Sequence, residues 1–471
     1  MEALNQNIFQ TIGGISDEMG IPCFVIGGWV RDQFLNRGKL TDIDIVAVGD
    51  ALSLAQKSSK KLGGGKVSIF KKFGTAHFKY GNIDIEFVRS RSESYSSESR
   101  KPNVKEGSLE EDQLRRDFTI NSLALSLNSK TWGDLIDPFH GLEDIKNKVI
   151  RTPLEPKKTF ADDPLRMLRA IRFATQLNFR IEETTFAGIY ESVDRIQILS
   201  AERIHAELNK ILECNTPSTG LSLLQESKLM NNILPEVSDL VGVDEVEGHI
   251  HKDNFWHTLE VVDNLAKVSD NLWHRWSALL HDIGKPPVKK FIENIGWTFH
   301  GHEYLGGKMA KVIFKRLSLP QDERLHFVVK LIRMSSRPIA VSSEIATESA
   351  VRRLLFDAGN DIDDLMALCE ADITTKNPKR KKKYLENFQI VRNRLVEVEK
   401  RDNLRNWQPP VNGRQLMNWF NLSPGKEIGL IKTFIRESVL DGRISNTFEA
   451  AKELAFKYAA DQGIIQEKND Q

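Results

Sequence analysis

The chain has 471 residues, of which 40% are hydrophobic and 28% are charged, values that are ordinary for a soluble protein with several domains. Its formal net charge of +1 supplies no overall field that would attract nucleic acid, so any such site has to come from local patches. No apolar run reaches membrane-spanning length, the opening residues MEALNQNIFQ lack a signal-peptide pattern, and the 3 cysteines show no ligand-like spacing. We therefore expect a cytoplasmic protein with reduced thiols and no membrane partner.

The first chemically informative segment joins a glycine turn to a pair of acidic residues. The apolar run from Phe24 to Ile26 predicts a buried strand, and Val30 to Leu35 predicts a helix. Gly27-Gly28 lies between them as a turn that leads into a helix N-terminus, an arrangement that can hold phosphate. Asp42 and Asp44 are separated by one residue, so on a strand their carboxylates share one face and can bind Mg²⁺ together. Phosphate binding beside Mg²⁺ predicts nucleotidyl transfer.

Three more strands are predicted before residue 90. Alternating β-branched or aromatic residues indicate strands at Lys66 to Phe70, Ala76 to Tyr80 and Ile83 to Val88. Asp84 and Glu86 share one face of the last of these strands. Either is a candidate for a third carboxylate that activates the attacking 3′-hydroxyl beside the metal, and the residues themselves do not decide between them.

Two arginine-rich motifs follow. Arg115-Arg116-Asp117-Phe118-Thr119-Ile120-Asn121 places two arginines, an acid and an amide close together, and guanidinium groups bind phosphate oxygens in pairs. The second motif is a helix that begins near Pro164 and carries a charged stripe with a three-residue spacing, formed by Asp163, Arg166, Arg169 and Arg172. Such a stripe is by itself typical of a solvated helix face.

The order of these motifs resembles the DNA polymerase β-type nucleotidyltransferases, and most closely the bacterial tRNA nucleotidyltransferase (CCA-adding) and poly(A) polymerase family. The resemblance implies an α+β fold, in which a DNA polymerase β-type nucleotidyltransferase head precedes an elongated all-α body containing an HD-domain helical bundle. It implies Mg²⁺ at Asp42 and Asp44, with Asp84 or Glu86 completing the catalytic set. The nucleotide-binding residues that it implies are Gly27, Gly28, Arg31, Arg116, Asp117, Asn121, Asp163, Arg166, Arg169 and Arg172.

In the resembled family, an Asp and an Arg of the second motif present a Watson–Crick-like edge to the incoming base. Asp163 and Arg166 occupy these positions, and a group that only accepts beside a group that only donates can pair with CTP and, after a small shift, with ATP. Arg169 and Arg172 would support them. The family usually has Glu-Asp where this chain has Asp162-Asp163, a departure that bears on Asp162 alone.

A second set of residues resembles the HD phosphohydrolase superfamily. His257, His281-Asp282 and Asp372 occur in that order, and a mixed set of imidazole and carboxylate ligands suits a divalent transition metal, with Mg²⁺ as the alternative. The resemblance implies hydrolysis of a phosphoester, such as a 2′,3′-cyclic phosphate at a tRNA end. The family's further histidine is absent from Met334-Ser335-Ser336-Arg337-Pro338, which favours a single-metal site.

Four regions are expected along the chain. They are a nucleotidyltransferase head at 1–145, a helical nucleobase-selecting and RNA-binding neck at 146–240, an HD domain at 245–375, and a basic linker with a C-terminal tRNA-contacting helical tail at 376–471. Within the head, the polar segment Ser90 to Gly107 predicts a mobile loop. In the linker, Lys376 to Lys383 holds six cations and no acid, which would attract an RNA backbone. Trp407, Trp419 and Phe420 of the tail are expected in its core.

The sequence thus favours a template-independent enzyme that uses CTP and ATP to build the 3′-terminal CCA of tRNA. Its alternatives are a poly(A) polymerase or a specialist that adds only A or only CC. Two readings of other classes are an HD phosphohydrolase whose head only anchors RNA and a non-catalytic RNA-binding protein. Both carboxylate-bearing sets count against the last reading, because clustered acids without a metal cost stability.

Overall fold

The computed structural model describes residues 4, 6–37, 41–71, 74–96, 99–242, 245–246, 249–250, 253–342, 347–402, 404–405, 407 and 409–464. The chain divides into two compact units, Met1–Pro235 and Glu236–Gln471. Within the described ranges, no helix combines the length and the apolar character that crossing a bilayer requires.

The first unit is built on a mixed sheet. Its strands are β1 (Cys23–Ile26), β2 (Asp42–Ala47), β3 (Ser68–Phe70), β4 (Thr75–Tyr80), β5 (Ile83–Arg89), β6 (Arg91–Ser96), β7 (Ser99–Glu106), β8 (Ala124–Ser126), β9 (Leu135–Ile136), β10 (Val149–Ile150) and β11 (Arg180–Ile181). Among the described residues, seven strands form one sheet in the order β3-β4-β5-β2-β1-β8-β9. The β2–β5 pair is parallel, and β1 is antiparallel to both β2 and β8.

Helices surround this sheet and then continue alone. They are α1 (Asn7–Glu18), α2 (Gly28–Phe34), α3 (Ala51–Leu62), α4 (Leu109–Leu114), α5 (Gly141–Asn147), α6 (Pro156–Asp162), α7 (Leu165–Leu177), α8 (Glu183–Glu191), α9 (Ala201–Leu212), α10 (Pro217–Glu226) and α11 (Leu229–Ile233). In α7, Met167, Leu168 and Ile171 are fully buried, and the helix ends at Asn178 in the left-handed conformation. The buried apolar face of α7 fixes the position of its arginines.

The strands predicted at Phe24 to Ile26, Ala76 to Tyr80 and Ile83 to Val88 are confirmed. The loop expected at Ser90 to Gly107 is wrong, because β6 and β7 pair there as an antiparallel ribbon with Arg91 opposite Glu106. The segment lacks the apolar alternation that marks a half-buried strand. Backbone hydrogen bonds alone form this ribbon's ladder, and a sequence pattern of side chains does not reveal them.

The second unit is almost wholly helical. Its elements are α12 (Pro235–Ser238), β12 (Glu245–Val246), β13 (His249–Ile250), α13 (Asn254–Ala266), α14 (Leu272–Leu280), α15 (Lys285–Val288), β14 (Lys290–Ile292), β15 (Gly296–Thr298), α16 (His302–Arg316), α17 (Glu323–Met334), α18 (Arg337–Ser342), α19 (Glu348–Ala358), α20 (Ile362–Ala371), α21 (Pro378–Asp402), α22 (Gly413–Phe420), α23 (Lys426–Leu440) and α24 (Phe448–Asp461). The last three helices share a core that contains Leu416, Ile431 and Ala455. Trp407 and Phe420 are buried and Trp419 packs against this core, so the prediction that these rings are structural is confirmed.

Candidate active sites

The register of two parallel strands brings four carboxylates together. Asp42 lies opposite Asp84, and Asp44 lies opposite Glu86. Because alternate residues of a strand share a face, all four carboxylates project from one side of the sheet. Burial raises the pKa of Asp44; Arg116 opposes this rise and Asp42 adds to it.

The structure distinguishes the two candidates for the third carboxylate. Asp84 has two partners on β4, with its carboxylate 2.7 Å from His77 Nε2 and 3.3 Å from Lys79 Nζ. The hydrogen bond to His77 is the main reason why the pKa of Asp84 is lowered. The pKa of Glu86 is instead raised, first by burial and then by the charge of Asp44. Glu86 is thus the acid that is electrostatically coupled to the pair on β2.

Gly27 lets the backbone approach Asp44 and Arg116 closely. Its φ is 84°, and a Cβ there would lie 3.1 Å from both Arg116 Nη1 and Asp44 Oδ2. Glycine is therefore required by the backbone conformation and by the close approach of a cation and a carboxylate. The hard oxygen ligands of Asp42 and Asp44, with the Arg116 guanidinium beside Gly27, fit Mg²⁺ together with a phosphate group.

A continuous chain of hydrogen bonds joins the predicted arginines. Arg31 Nη1 donates to Asn121 Oδ1 at 2.9 Å, and Asn121 Nδ2 donates to Asp117 Oδ1 at 2.9 Å. Arg169 Nε donates to the second oxygen of Asp117 at 2.7 Å. Burial alone would raise the pKa of Asp117, but Arg169 and Asn121 outweigh it and lower that pKa to about 2. Asp117 is therefore a buried anion that ties α7 to the residues around α2.

The remaining residues of the α7 stripe each have a partner. Asp163 Oδ1 accepts from the backbone N–H of Leu165 at 3.1 Å, and its Oδ2 accepts from Arg203 at 2.8 Å. Arg166 Nη2 donates to the carbonyl of Arg115 at 2.6 Å. Arg172 Nε donates to Glu207 Oε2 at 2.6 Å. The solvated face that the stripe alone would indicate is thus largely replaced by buried or half-buried contacts.

Sequence reasoning missed four residues that position this site. Asp112 is fully buried and binds both Arg115 and Arg116, at 2.6 and 3.3 Å. Arg203 and Glu207 of α9 bind Asp163 and Arg172 of α7. The ring of Phe173 contacts three guanidinium groups, at 3.8 Å for Arg172, 5.0 Å for Arg31 and 5.3 Å for Arg169. The Asp112 contacts have a helical i,i+3 and i,i+4 signal, whereas no sequence pattern indicated Phe173.

The second unit brings the predicted HD residues together. Ligand atoms of His257, His281 and Asp372 all lie within 4.8 Å of one another. Asp282 Oδ2 lies 3.3 Å from His281 Nε2 and 3.8 Å from His257 Nε2. His302 Nε2 is 3.9 Å from the other oxygen of Asp282. α13, α14 and α20 converge to place these side chains.

Hydrogen bonds at Nδ1 leave Nε2 of both cluster histidines directed at a shared point. His281 Nδ1 contacts the carbonyl of Ala278 at 2.7 Å, and His257 Nδ1 contacts the hydroxyl of Thr374 at 2.8 Å. His281 Nε2 is buried and has no hydrogen-bond partner among the described residues. A buried nitrogen without a partner beside carboxylates fits a metal ion, because the ion would satisfy it.

The charges around this point are strongly coupled. Burial opposes the ionisation of Asp282, but His281 and then Lys285, whose Nζ lies 2.6 Å away, hold the pKa of Asp282 well below its usual range. Burial likewise opposes protonation of His281, but Asp282 and Asp372 raise the pKa of that imidazole to about 9. The carboxylates thus stabilise positive charge here, whether a proton or a metal supplies it.

Family models match three successive parts of the chain. Residues 23–151 match the poly A polymerase head domain, and residues 178–240 match a probable RNA and SrmB-binding site of polymerase A. Residues 254–375 match the HD domain. All the predicted site residues lie inside the head and HD matches except the α7 stripe, which falls between the first two matches.

Individual relatives agree with these matches. The A-adding tRNA nucleotidyltransferase of Aquifex aeolicus (strain VF5) is 31% identical over 300 residues, which are 61% of this chain but only 35% of that protein. The multifunctional CCA protein of Shewanella frigidimarina (strain NCIMB 400) is 30% identical over 368 residues, covering 74% of this chain and 83% of the relative. A solved tRNA nucleotidyltransferase complexed with a primer tRNA and an incoming ATP analog is 25% identical, with a TM-score of 0.59, and covers 82% of this chain and 99% of its own.

The mixed sheet, the paired carboxylates and the arginine network define an enzyme of the nucleotidyltransferase class. The chain belongs to the family of bacterial tRNA nucleotidyltransferases and poly(A) polymerases, and it carries an HD domain after its head and neck.

Proposed function

We propose that this enzyme adds or repairs the 3′-terminal CCA of tRNA without a nucleic-acid template, using CTP and ATP. The single observation that carries this proposal is the set of carboxylates that β2 and β5 place on one face, Asp42, Asp44 and Glu86, with Gly27 close to Asp44 and Arg116. The named relatives and the solved tRNA complex support tRNA as the acceptor. We place the reaction in the cytoplasm.

Asp42 and Asp44 would hold Mg²⁺, which when bound stabilises charge on the α-phosphate and the departing pyrophosphate. Arg31 and Arg116, with Gly28 at the start of α2, bind the triphosphate. Glu86 accepts the proton of the tRNA 3′-hydroxyl, whose oxygen bonds to the α-phosphorus as the bond to the β-phosphate oxygen breaks. The raised pKa of Glu86 suits proton acceptance better than the lowered pKa of Asp84.

Base selection is proposed for Asp163 and Arg166. Asp163 is held by Arg203, and Arg166 by a backbone carbonyl, so each side chain has a fixed starting position. Asp117 and Asn121 connect Arg31 to Arg169, so the triphosphate-binding residues and the base-reading helix share one network. Arg172, fixed by Glu207, supports the same helix.

A second activity, phosphoester hydrolysis, is proposed for the HD site. The convergence of His257, His281 and Asp372, with Asp282 beside them, supports a single divalent ion there, either a transition metal or Mg²⁺. When bound, the ion lowers the pKa of a water ligand. Thr374 orients His257, and Lys285 orients Asp282.

Two variants test the separation of the activities. Asp42→Ala should abolish nucleotide addition to a tRNA lacking CCA and leave phosphoester hydrolysis unchanged, whereas Asp282→Ala should do the reverse. Loss of both activities in either variant, with native circular dichroism, would show that the two sites are not independent.

A restricted, A-adding activity is the second candidate, because one relative carries that name. It predicts addition only to tRNA that already ends in CC.

The four domain regions expected from the sequence are also proposals. Residues 1–145 would carry out transfer, 146–240 would contact the base and the RNA, 245–375 would carry out hydrolysis, and 376–471 would contact tRNA.

A further inference from the structure

The two faces of the seven-stranded sheet differ at β4 and β5. On one face, Phe78 and Phe87 are buried where α3 packs against these strands. On the other face, His77 lies opposite Glu86, and the side chain of Lys79 is 66% exposed. The face that carries the catalytic acids therefore continues outward as an exposed surface on β4.

Phe70 extends this exposed surface to the edge strand β3. Ser68 of β3 lies opposite His77, and two residues later Phe70 lies opposite Thr75. Residues that oppose each other on neighbouring strands share a face, so Phe70 is on the same face as Glu86. Phe70 is 53% exposed. An exposed aromatic ring thus lies on the surface that leads to the catalytic acids.

Sheet geometry sets the distance between this ring and the reaction. β3 is the second strand from β5, and neighbouring strands lie about 4.8 Å apart. Phe70 is also one two-residue step further along the strands than Glu86, which adds about 6.6 Å in that direction. The two Cα atoms are therefore roughly 12 Å apart. With a terminal 3′-hydroxyl at Glu86, the ring lies beyond the terminal nucleotide and within reach of the nucleotide before it.

Lysines surround the ring. Lys66 precedes β3 and Lys71 follows it, and both are exposed. Lys79 shares the face of Phe70. A single exposed phenylalanine is ordinary on a protein surface. An aromatic ring among cations is instead the combination that binds single-stranded nucleic acid, because bases stack on the ring and the cations pair with the phosphates.

We propose that Phe70 positions the acceptor RNA, with the base of the nucleotide before the 3′-terminal one stacked on its ring. The inference rests on the proposed nucleotide addition. The occupant of the face is the single-stranded 3′ end of tRNA, because the face is continuous with the acids that act on the terminal hydroxyl and its lysines match the phosphates. Stacking there holds the 3′-hydroxyl against Glu86 and restricts its motion.

The experiment is a double-mutant cycle between the ring and the base. One acceptor is a tRNA ending in CC, and the other is identical except that its penultimate nucleotide lacks the base. ATP is the nucleotide, since A follows CC in both of the addition activities considered above. Initial rates of native protein, Phe70→Leu and Phe70→Tyr give kcat, KM for the acceptor and KM for ATP. Circular dichroism confirms that each variant is folded.

We expect Phe70→Leu to lower kcat/KM for the intact acceptor about tenfold, mainly by raising KM for tRNA, because a base–aromatic stack is lost. KM for ATP should not change, and Phe70→Tyr should behave as the native protein does. On the baseless acceptor, the native protein and Phe70→Leu should be equal, because the partner of the ring is absent. An equal fractional loss on both acceptors, or no loss on either, overturns the proposal.

Failure of nucleotide addition is a distinct result. If the native protein adds nothing to the CC end, the proposed function is wrong, and the position of the RNA end is decided by equilibrium binding of the same two acceptors. Weaker binding of the intact acceptor by Phe70→Leu, with equal binding of the baseless one, supports stacking on Phe70. Equal binding of the intact acceptor by the native protein and by Phe70→Leu contradicts it.

Discussion

Asp44 on β2 lies directly opposite Glu86 on the parallel strand β5, and burial and then the charge of Asp44 raise the pKa of Glu86. Two residues earlier on β5, Asp84 is instead paired with His77 of the neighbouring strand β4. Two acids that share a strand face thus have different electrostatic surroundings. This difference gives an experimental means of separating their roles.

Glu86→Gln should lower the rate of nucleotide addition by about 100-fold or more, because general-base contributions are typically 10²–10⁴-fold. Asp84→Asn, two residues away on the same strand face, is the matched variant and should lower the rate no more than a few-fold. Single-turnover addition of one nucleotide at saturating Mg²⁺ measures both. The reverse ranking would assign the third carboxylate to Asp84.

Phe173→Leu should raise KM for the nucleotide about tenfold with a smaller change in kcat. The substitution removes the ring that orients Arg31, Arg169 and Arg172, and each such contact contributes roughly 0.5–2 kcal/mol. Phe173→Tyr keeps the ring and should restore KM. If the Leu and Tyr variants have the same KM for the nucleotide, the interaction of the Phe173 ring with the arginines does not contribute to nucleotide binding.

Asp117→Asn should destabilise the protein at neutral pH by on the order of 2 kcal/mol, because Arg169 and Asn121 outweigh burial and lower the pKa of Asp117 to about 2 in the folded protein. The folded pKa of about 2 is lower than the unfolded value, so the stabilisation is complete above about pH 4 and is lost as the pH falls toward 2. Urea unfolding at a series of pH values should show that the difference in free energy of unfolding between the native protein and the variant becomes smaller as the pH falls from 4 to 2.

The control for this measurement is Asp134→Asn, at an exposed aspartate of the same unit. We expect it to change the free energy of unfolding by less than about 0.5 kcal/mol. If the free energies of unfolding of the native protein and of Asp117→Asn differ by a constant amount down to pH 2, the fold does not stabilise the Asp117 carboxylate as an anion.

Thr374→Val should weaken metal binding at the HD site about 10- to 100-fold, because the Thr374 hydroxyl fixes the ring of His257 through Nδ1. Thr375→Val changes the neighbouring threonine and should leave metal affinity within about twofold. Equilibrium dialysis with Ni²⁺ or Mn²⁺ gives both affinities. Equal metal affinities for the two variants would show that Thr374 does not orient His257 for metal binding.

The sequence predicted much of the sites because strand and helix periods alone place certain side chains together. Asp42 and Asp44 follow from the two-residue strand period, but the proposal of Glu86 over Asp84 rests on the β4 partners of Asp84, His77 and Lys79. Those partners come from strand pairing, which leaves no local mark. The same reason explains why the β6–β7 ribbon was missed.

Tertiary contacts also account for the residues that the sequence did not indicate. Phe173 is one apolar residue among several in α7, and only the fold shows that Arg31, from another helix, approaches its ring. Likewise, the bonds of Arg203 and Glu207 to Asp163 and Arg172 depend on how α9 packs against α7.

The most direct test of the central claim is primer extension on tRNA ending before CCA, after C and after CC, with each of the four nucleotides alone and with CTP plus ATP. The proposed function predicts that Mg²⁺, CTP and ATP add C, C and A to the tRNA that ends before CCA, C and A after C, and A after CC, and that UTP and GTP add none. A long A tract would make the protein a poly(A) polymerase, and A addition only after CC would make it an A-adding specialist. No addition to any of the three ends would contradict the proposal outright.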